Sequence, residues 1–164
     1  MSSAKGQSTR VPQVLSMIGI DFPLGSRQPR LWRFGVATVV AVAGSLAACA
    51  LLVAAAEALF PSTVGYGHFA FADYAKLAIV GVLIACMAWP VVTLFASRAA
   101  RLFFWLAVIV TVVSLLPDIW IWHLGQAPLG VFTLGVMHVA VAIVTYPALV
   151  LIAPQQGSVA ARPQ

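Results

Sequence analysis

The sequence predicts an all-α membrane protein, a four-transmembrane-helix bundle with both termini cytoplasmic. Three observations lead there. Hydrophobic residues make up 62% of the 164 residues and charged residues 8%, with a mean hydropathy of +1.02, which leaves too little polar surface to cover a soluble domain. Apolar runs near 34–58, 74–96, 101–122 and 128–152 each reach the roughly 20 residues that cross a hydrocarbon core. The cations also sort by side. Lys5, Arg10, Arg27, Arg30 and Arg33 precede the first run, Arg98 and Arg101 separate the second from the third, Arg162 follows the fourth, and Lys76 alone falls on the other side. The positive-inside rule then places the termini and the 97–101 turn in the cytoplasm. A formal charge of +5 is accounted for by topology and lipid headgroups, so the bilayer is the expected partner and nucleic acid is not.

Residues 1–33 read as a cytoplasmic N-terminal segment, 34–152 as the transmembrane domain and 153–164 as a cytoplasmic tail. The chain opens on a Ser, Lys and Gln stretch with the composition of partial disorder. In the following VPQVLSMIGI, Val14, Leu15 and Ile18 share one face of a short helix suited to the inner membrane surface. The stretch before the first apolar run is too long for an ordinary cleaved signal peptide, so that run is expected to remain as a span.

In the first span Ala37, Ala41, Gly44 and Ala48 recur at helical spacing and form a small-residue face on which a neighbouring backbone can pack closely. Glu57 stands at its outer end, too shallow for the central carboxylate of a proton-coupled exporter. The loop FPSTVGYGHFAFADYAK supplies an interfacial aromatic belt in Phe60, Tyr66, Phe69, Phe71 and Tyr74, with Gly65 and Gly67 permitting a turn. Glu57, His68, Asp73, Asp118 and His123 are metal-ligand types on or near this face. None is paired at a ligand spacing such as HxxxH, so solvated loop residues are expected and no metal.

The second span carries Gly81, Cys86 and the Trp89–Pro90 step, where a missing backbone donor should bend the helix. Cys49 and Cys86 are the two cysteines of the chain. Without a CxxC pair they lack the relay of a membrane thiol oxidoreductase and read as buried free thiols.

The third and fourth spans hold most of the deep polar groups. Ala107, Thr111, Ser114 and Asp118 make one stripe, and Gly135, His138, Ala142 and Thr145 make another. A turn centred near Gly125 sets His138 level with Thr111 and Ser114, with Asp118 about two turns further out. A histidine at that depth must find partners inside the bundle. One reading is a neutral His138 bonded to Ser114, Thr111 or a carbonyl freed by Pro117, joining helices. The other is a proton-responsive or ligand-contacting group. Asp118 is expected to cap the break at Pro117 or to be solvated beside Trp120, Trp122 and His123. Haem ligation would want a second deep histidine, whereas His68 and His123 lie toward the surface, so no cofactor is expected.

The order of four short spans, SLLP at 114–117 and GVMHVAVAIV at 135–144 resemble an uncharacterised family of small bacterial four-helix membrane proteins, catalogued as a domain of unknown function (DUF6069). The resemblance covers about residues 31–152. It implies a four-helix bundle in a bacterial cytoplasmic membrane, with Ser114, Pro117 and His138 as family-like positions, and supplies no activity. The favoured expectation is a non-enzymatic accessory or assembly subunit, forming a homo-oligomer or joining a larger membrane complex through its Ala and Gly faces. The alternative is a small-molecule or ion-handling protein whose polar cavity is lined by His138, Ser114, Thr111 and Asp118. No nucleophile, base and orienting acid stand at recognisable spacing, so no enzyme is expected.

Overall fold

The computed structural model describes residues 28–96 and 98–156. The expected surface helix around Val14, Leu15 and Ile18 lies outside the described residues. Helices α1 (Leu31–Leu59), α2 (Phe71–Phe95), α3 (Ala99–Ser114), α4 (Leu116–His123) and α5 (Pro128–Pro147) follow in order, and α5 runs on into a π-helical turn at Ala148–Ile152. Two 3-10 turns, Pro61–Thr63 and Gly67–Phe69, shape the connection from α1 to α2. Among the described residues four segments are long and apolar enough to cross a membrane: Leu31–Leu59, Phe71–Phe95, Ala99–His123 and Pro128–Ile152. They are the four apolar runs of the sequence, the first three beginning two or three residues earlier than expected. Both termini of the bundle and Arg98 share one end, called here the terminal end. The 60–70 connection and the 124–127 turn form the loop end.

Proline and glycine punctuate this framework. Pro117 has no N–H to offer, and the Leu115 N–H bonds Val112 O at 3.2 Å in a tightened turn that divides the third span into α3 and α4. The expected single helix over 101–122 is therefore two pieces. At the other end of α4, Gly125 has a φ of +86°. Its N–H reaches Trp122 O and that of Gln126 reaches Ile121 O, a Schellman ending that turns the chain back into α5. Helix α2 passes through Pro90 as one element. At Pro147 the ladder loosens into the π turn, consistent with the lost donor.

The terminal end is closely packed. Trp89, Val82, Cys86, Phe103 and Leu149 are buried together with Ala37, Ala41, Ala96 and Ala99. The Trp89 indole donates from Nε1 to Ala153 O at 2.9 Å and its ring meets Phe103 at 5.1 Å. Phe103 in turn stacks on Tyr146 at 6.0 Å. Gln155 closes the α2–α3 corner: Nε2 donates to Ala96 O at 2.8 Å and to Thr93 O at 3.3 Å, and Oε1 accepts from the Ala99 N–H at 3.3 Å.

Helix α1 presses on α5. A Cβ added at Gly44 would meet Val144 Cγ1 at 2.9 Å, and the hydroxyls of Ser45 and Thr145 are 3.3 Å apart. Ala37 and Ala41 are fully buried, but the buried face continues through Ser45 and Cys49, while Ala48 is half-buried. The small-residue stripe is thus consumed within the chain. Toward the loop end the buried core shrinks to Cys49, Tyr74, Ala75 and Met137, and the space that a fuller core would occupy is a cleft.

Candidate functional site

The cleft has a volume of about 440 Å³ and lies between α2, the α3–α4 span and α5. The two polar stripes of the sequence meet in it. Ala107, Thr111, Ser114 and Asp118 line one wall, and His138, Ala142 and Thr145 another. Gly135 instead lies under Leu115, whose Cδ2 would be 3.5 Å from an added Cβ.

Its central feature is the pair formed by Asp118 and His138. The Nδ1 of His138 is 3.0 Å from Asp118 Oδ2 and 3.0 Å from Leu134 O, one turn back on its own helix. A carbonyl oxygen only accepts, so Nδ1 carries the hydrogen in the neutral ring and the carboxylate lies beside the same N–H. Asp118 Oδ2 is buried and among the described residues has no aligned hydrogen bond; the imidazole edge of His138 lies against it. The other ring nitrogen, Nε2, has no partner among the described residues. With 38% of the His138 side chain exposed against 11% for Asp118, the imidazole is the member of the pair that the cleft can reach.

The expected level of Asp118, two turns beyond His138, is corrected by side-chain direction. Asp118 is five residues from the end of α4 and His138 ten from the start of α5, an offset of about 7.5 Å at the helical rise. Side chains on a helix lean toward its N-terminus, so on antiparallel neighbours the two lean toward each other. The expected partners of His138 are engaged elsewhere or free. Ser114 Oγ donates to Thr111 O at 2.7 Å, a bond within its own helix, and the Thr111 hydroxyl has no partner among the described residues. Asp118 also differs from the expected solvated or capping residue, being buried.

Sequence reasoning left two loop residues out of the site. His68 lines the cleft, and Tyr66 lies beside His68 at the loop end, outside the lining. The Tyr66 ring lies flat against the α5 backbone, where a Cβ on Gly130 would meet three of its carbons at 2.9 Å. It also contacts His68 and Phe69 edge-on, at 5.4 and 5.1 Å. The Tyr66 hydroxyl is buried without a partner among the described residues, and burial first, then the negative charge of Asp118, hold its pKa above the ordinary 10.0. The only sequence signal was the glycine pair flanking Tyr66, read as a turn.

Among the described residues no three His, Cys, Asp or Glu side chains converge as metal ligands. Of those weighed from sequence, His68, Asp73 and Asp118 line the cleft and Glu57 and His123 do not. Cys49 lines the cleft and Cys86 does not, and both are free thiols. Lys76 pairs with Asp73 at 3.7 Å on the exposed face of α2.

No curated protein and no solved structure matches the chain. The model of a family described as "Family of unknown function (DUF6069)" matches residues 26–154, well over half of the sequence, and the chain belongs to that family.

Proposed function

We propose that the protein is a membrane-embedded small-molecule-binding protein whose ligand is held by the Asp118–His138 pair. The observation that carries this reading is the unpartnered Nε2 of His138 on the wall of a cleft, with Nδ1 held by two oxygens. A residue serving only to join helices would use its second nitrogen, because an unmatched polar group in hydrocarbon costs free energy. A carboxylate behind the imidazole orients the ring and strengthens Nε2 as an acceptor. The Ser114 hydroxyl that lines the cleft is bonded to Thr111 O within its own helix, and binding without bond cleavage is proposed. Arg30, Arg33, Arg98 and Arg101 gather at the terminal end, which supports a cytoplasmic terminal end and an outward-facing loop end. The family resemblance supports a bacterial cytoplasmic membrane.

Native mass spectrometry of the chain and of His138→Ala, both extracted from the same membrane, tests the proposal. A small mass bound to the wild type and absent from a folded variant is expected. Identical spectra would overturn it.

A second reading, an accessory subunit that associates with its own copy or a larger complex, retains one supporting observation. Ala43, Ala47, Ala50 and Ala54 are exposed along one face of α1, and small residues at that spacing suit helix association. Disulfide capture of Ala47→Cys between chains in native membranes tests it; a monomer throughout would remove it.

A further inference from the structure

We infer that the ligand is a neutral, single-chain lipid alcohol that enters the cleft sideways from the bilayer, between α2 and α3. The inference rests on the binding role proposed for His138 and adds the chemistry and route of what binds. Three observations lead to it.

The first is the distribution of polarity. His68, Asp73, Ser114, Thr111, Asp118 and His138 line the half of the cleft nearer the loop end. Toward the terminal end the lining passes to Leu106, Phe103, Ala85, Ala88 and Val141, and the two hydroxyls there, of Thr145 and Tyr146, are already bonded to Ser45 and to Ala100 O. A molecule filling both halves has one polar end and one apolar end.

The second is the shape of the apolar half. Ala78, Gly81, Ala85 and Ala88 recur along α2 at spacings of three, four and three and all line the cleft, giving a trough about 15 Å long at the helical rise. A Cβ placed on Gly81 meets nothing within 4 Å, so the trough is open space and not a seam between helices. Its edges are Leu77, Ile84 and Val110, which are 76%, 65% and 64% exposed. In a spanning bundle that exposure faces lipid, so the trough communicates with the bilayer interior along its length. At its foot Trp89, Phe103 and Tyr146 pack on one another, closing it toward the terminal end.

The third is the hydrogen-bond polarity of the head site. Nδ1 holds the hydrogen because Leu134 O accepts it, which leaves Nε2 with a lone pair. The ligand must therefore donate, as an O–H does. Charge selects further. Two carboxylates line the cleft, Asp73 paired with Lys76 at 3.7 Å and Asp118 beside the His138 Nδ1, and among the described residues no Lys or Arg lines it, so a phosphate or carboxylate head would be desolvated with no cation in the cleft to receive it. Asp73 is already paired with Lys76, and the carboxylate of Asp118 faces Nδ1, across the ring from Nε2, which leaves no free counter-ion beside the head for an ammonium. A neutral hydroxyl meets each condition.

The test is titration of the chain in phosphatidylcholine nanodiscs with dodecanol, followed by native mass spectrometry. The comparison probes are dodecane, laurate, dodecylamine and glycerol. One dodecanol per chain is expected to bind saturably, with at least tenfold weaker binding in His138→Ala and also in Gly81→Leu. The second variant fills the trough, leaves the Asp118–His138 pair in place and has room to fold. Equal binding of dodecane would show an ordinary lipid-contact groove and overturn the inference, as would tighter binding of laurate or dodecylamine. Glycerol bound as tightly as dodecanol, lost in His138→Ala and unaffected by Gly81→Leu, would overturn lipid entry while leaving His138 as the binding group. Dodecanol binding unchanged in His138→Ala would overturn both.

Discussion

Asp118 and His138 reach each other across two antiparallel spans, Oδ2 to Nδ1 at 3.0 Å, although they lie at different distances from the turn that joins those spans. The contact couples the broken third span to the fourth at the level where the bundle core thins into a cleft. Removing one member strands the other. His138→Leu is expected to cost about 1–3 kcal/mol by leaving a buried carboxylate without its nearest polar neighbour. The double variant Asp118→Leu with His138→Leu should recover most of the loss, since replacing both members by apolar groups is close to neutral. Thermal unfolding in detergent of the wild type, both single variants and the double measures the coupling. Additive losses would mean that the pair does not interact.

Tyr66 carries a buried hydroxyl with no partner among the described residues, so Tyr66→Phe is expected to stabilise the fold by about 1 kcal/mol. The same site gives a pH dependence. Burial raises the tyrosine pKa in the folded protein above the usual 10.0, so the folded state keeps the proton that the unfolded chain releases. Stability is then full below pH 10.0 and falls as pH rises through the folded pKa. Unfolding followed across that alkaline range should show a fall in the wild type that is shallower in Tyr66→Phe. Parallel curves would count against a buried hydroxyl.

Gly44 admits Val144 to within contact of the α1 backbone, and an added Cβ would stand 2.9 Å from Val144 Cγ1. Gly44→Ala should therefore destabilise by about 1–3 kcal/mol through overpacking. Val144→Ala, placed in the same chain, should relieve part of that cost. A simple sum of the two losses in thermal melts would show that α1 and α5 do not meet there.

Trp89 ties α2 to the end of the fourth span through its indole N–H on Ala153 O, and the side chain is 1% exposed. Trp89→Phe keeps an aromatic ring against Phe103 but leaves the carbonyl unmatched. A loss of about 1–3 kcal/mol is expected. Faster proteolysis after residue 153 than in the wild type would place the loss at this attachment; global unfolding with no local change would not.

The sequence by itself determined the class of fold and the contents of each span. Hydropathy and length specify four crossings because bilayer thickness imposes a length on any apolar helix, independently of what the helix packs against. Helical periodicity likewise put Ala107, Thr111, Ser114 and Asp118 on one face and His138, Ala142 and Thr145 on another, and those faces do line a common space.

Tertiary structure decided whether a face packs or stays open, and which polar atoms meet. The Ala37–Ala41–Gly44 face looked available for another chain and is occupied by α5, whereas the Ala78–Gly81–Ala85–Ala88 face of α2 borders the cleft. Small residues have the same spacing in both places, and only the position of a neighbouring helix separates contact from vacancy. From sequence Asp118 is a cap at Pro117 or a solvated residue when its depth is counted in residues from the turn, whereas in the structure it is buried. The lean of side chains toward helix N-termini closes that distance, and it acts only once two helices are antiparallel neighbours. Tyr66 and His68 come from a loop whose path carries no periodic signal, so their place beside Asp118 is settled by how the loop folds back over Gly130.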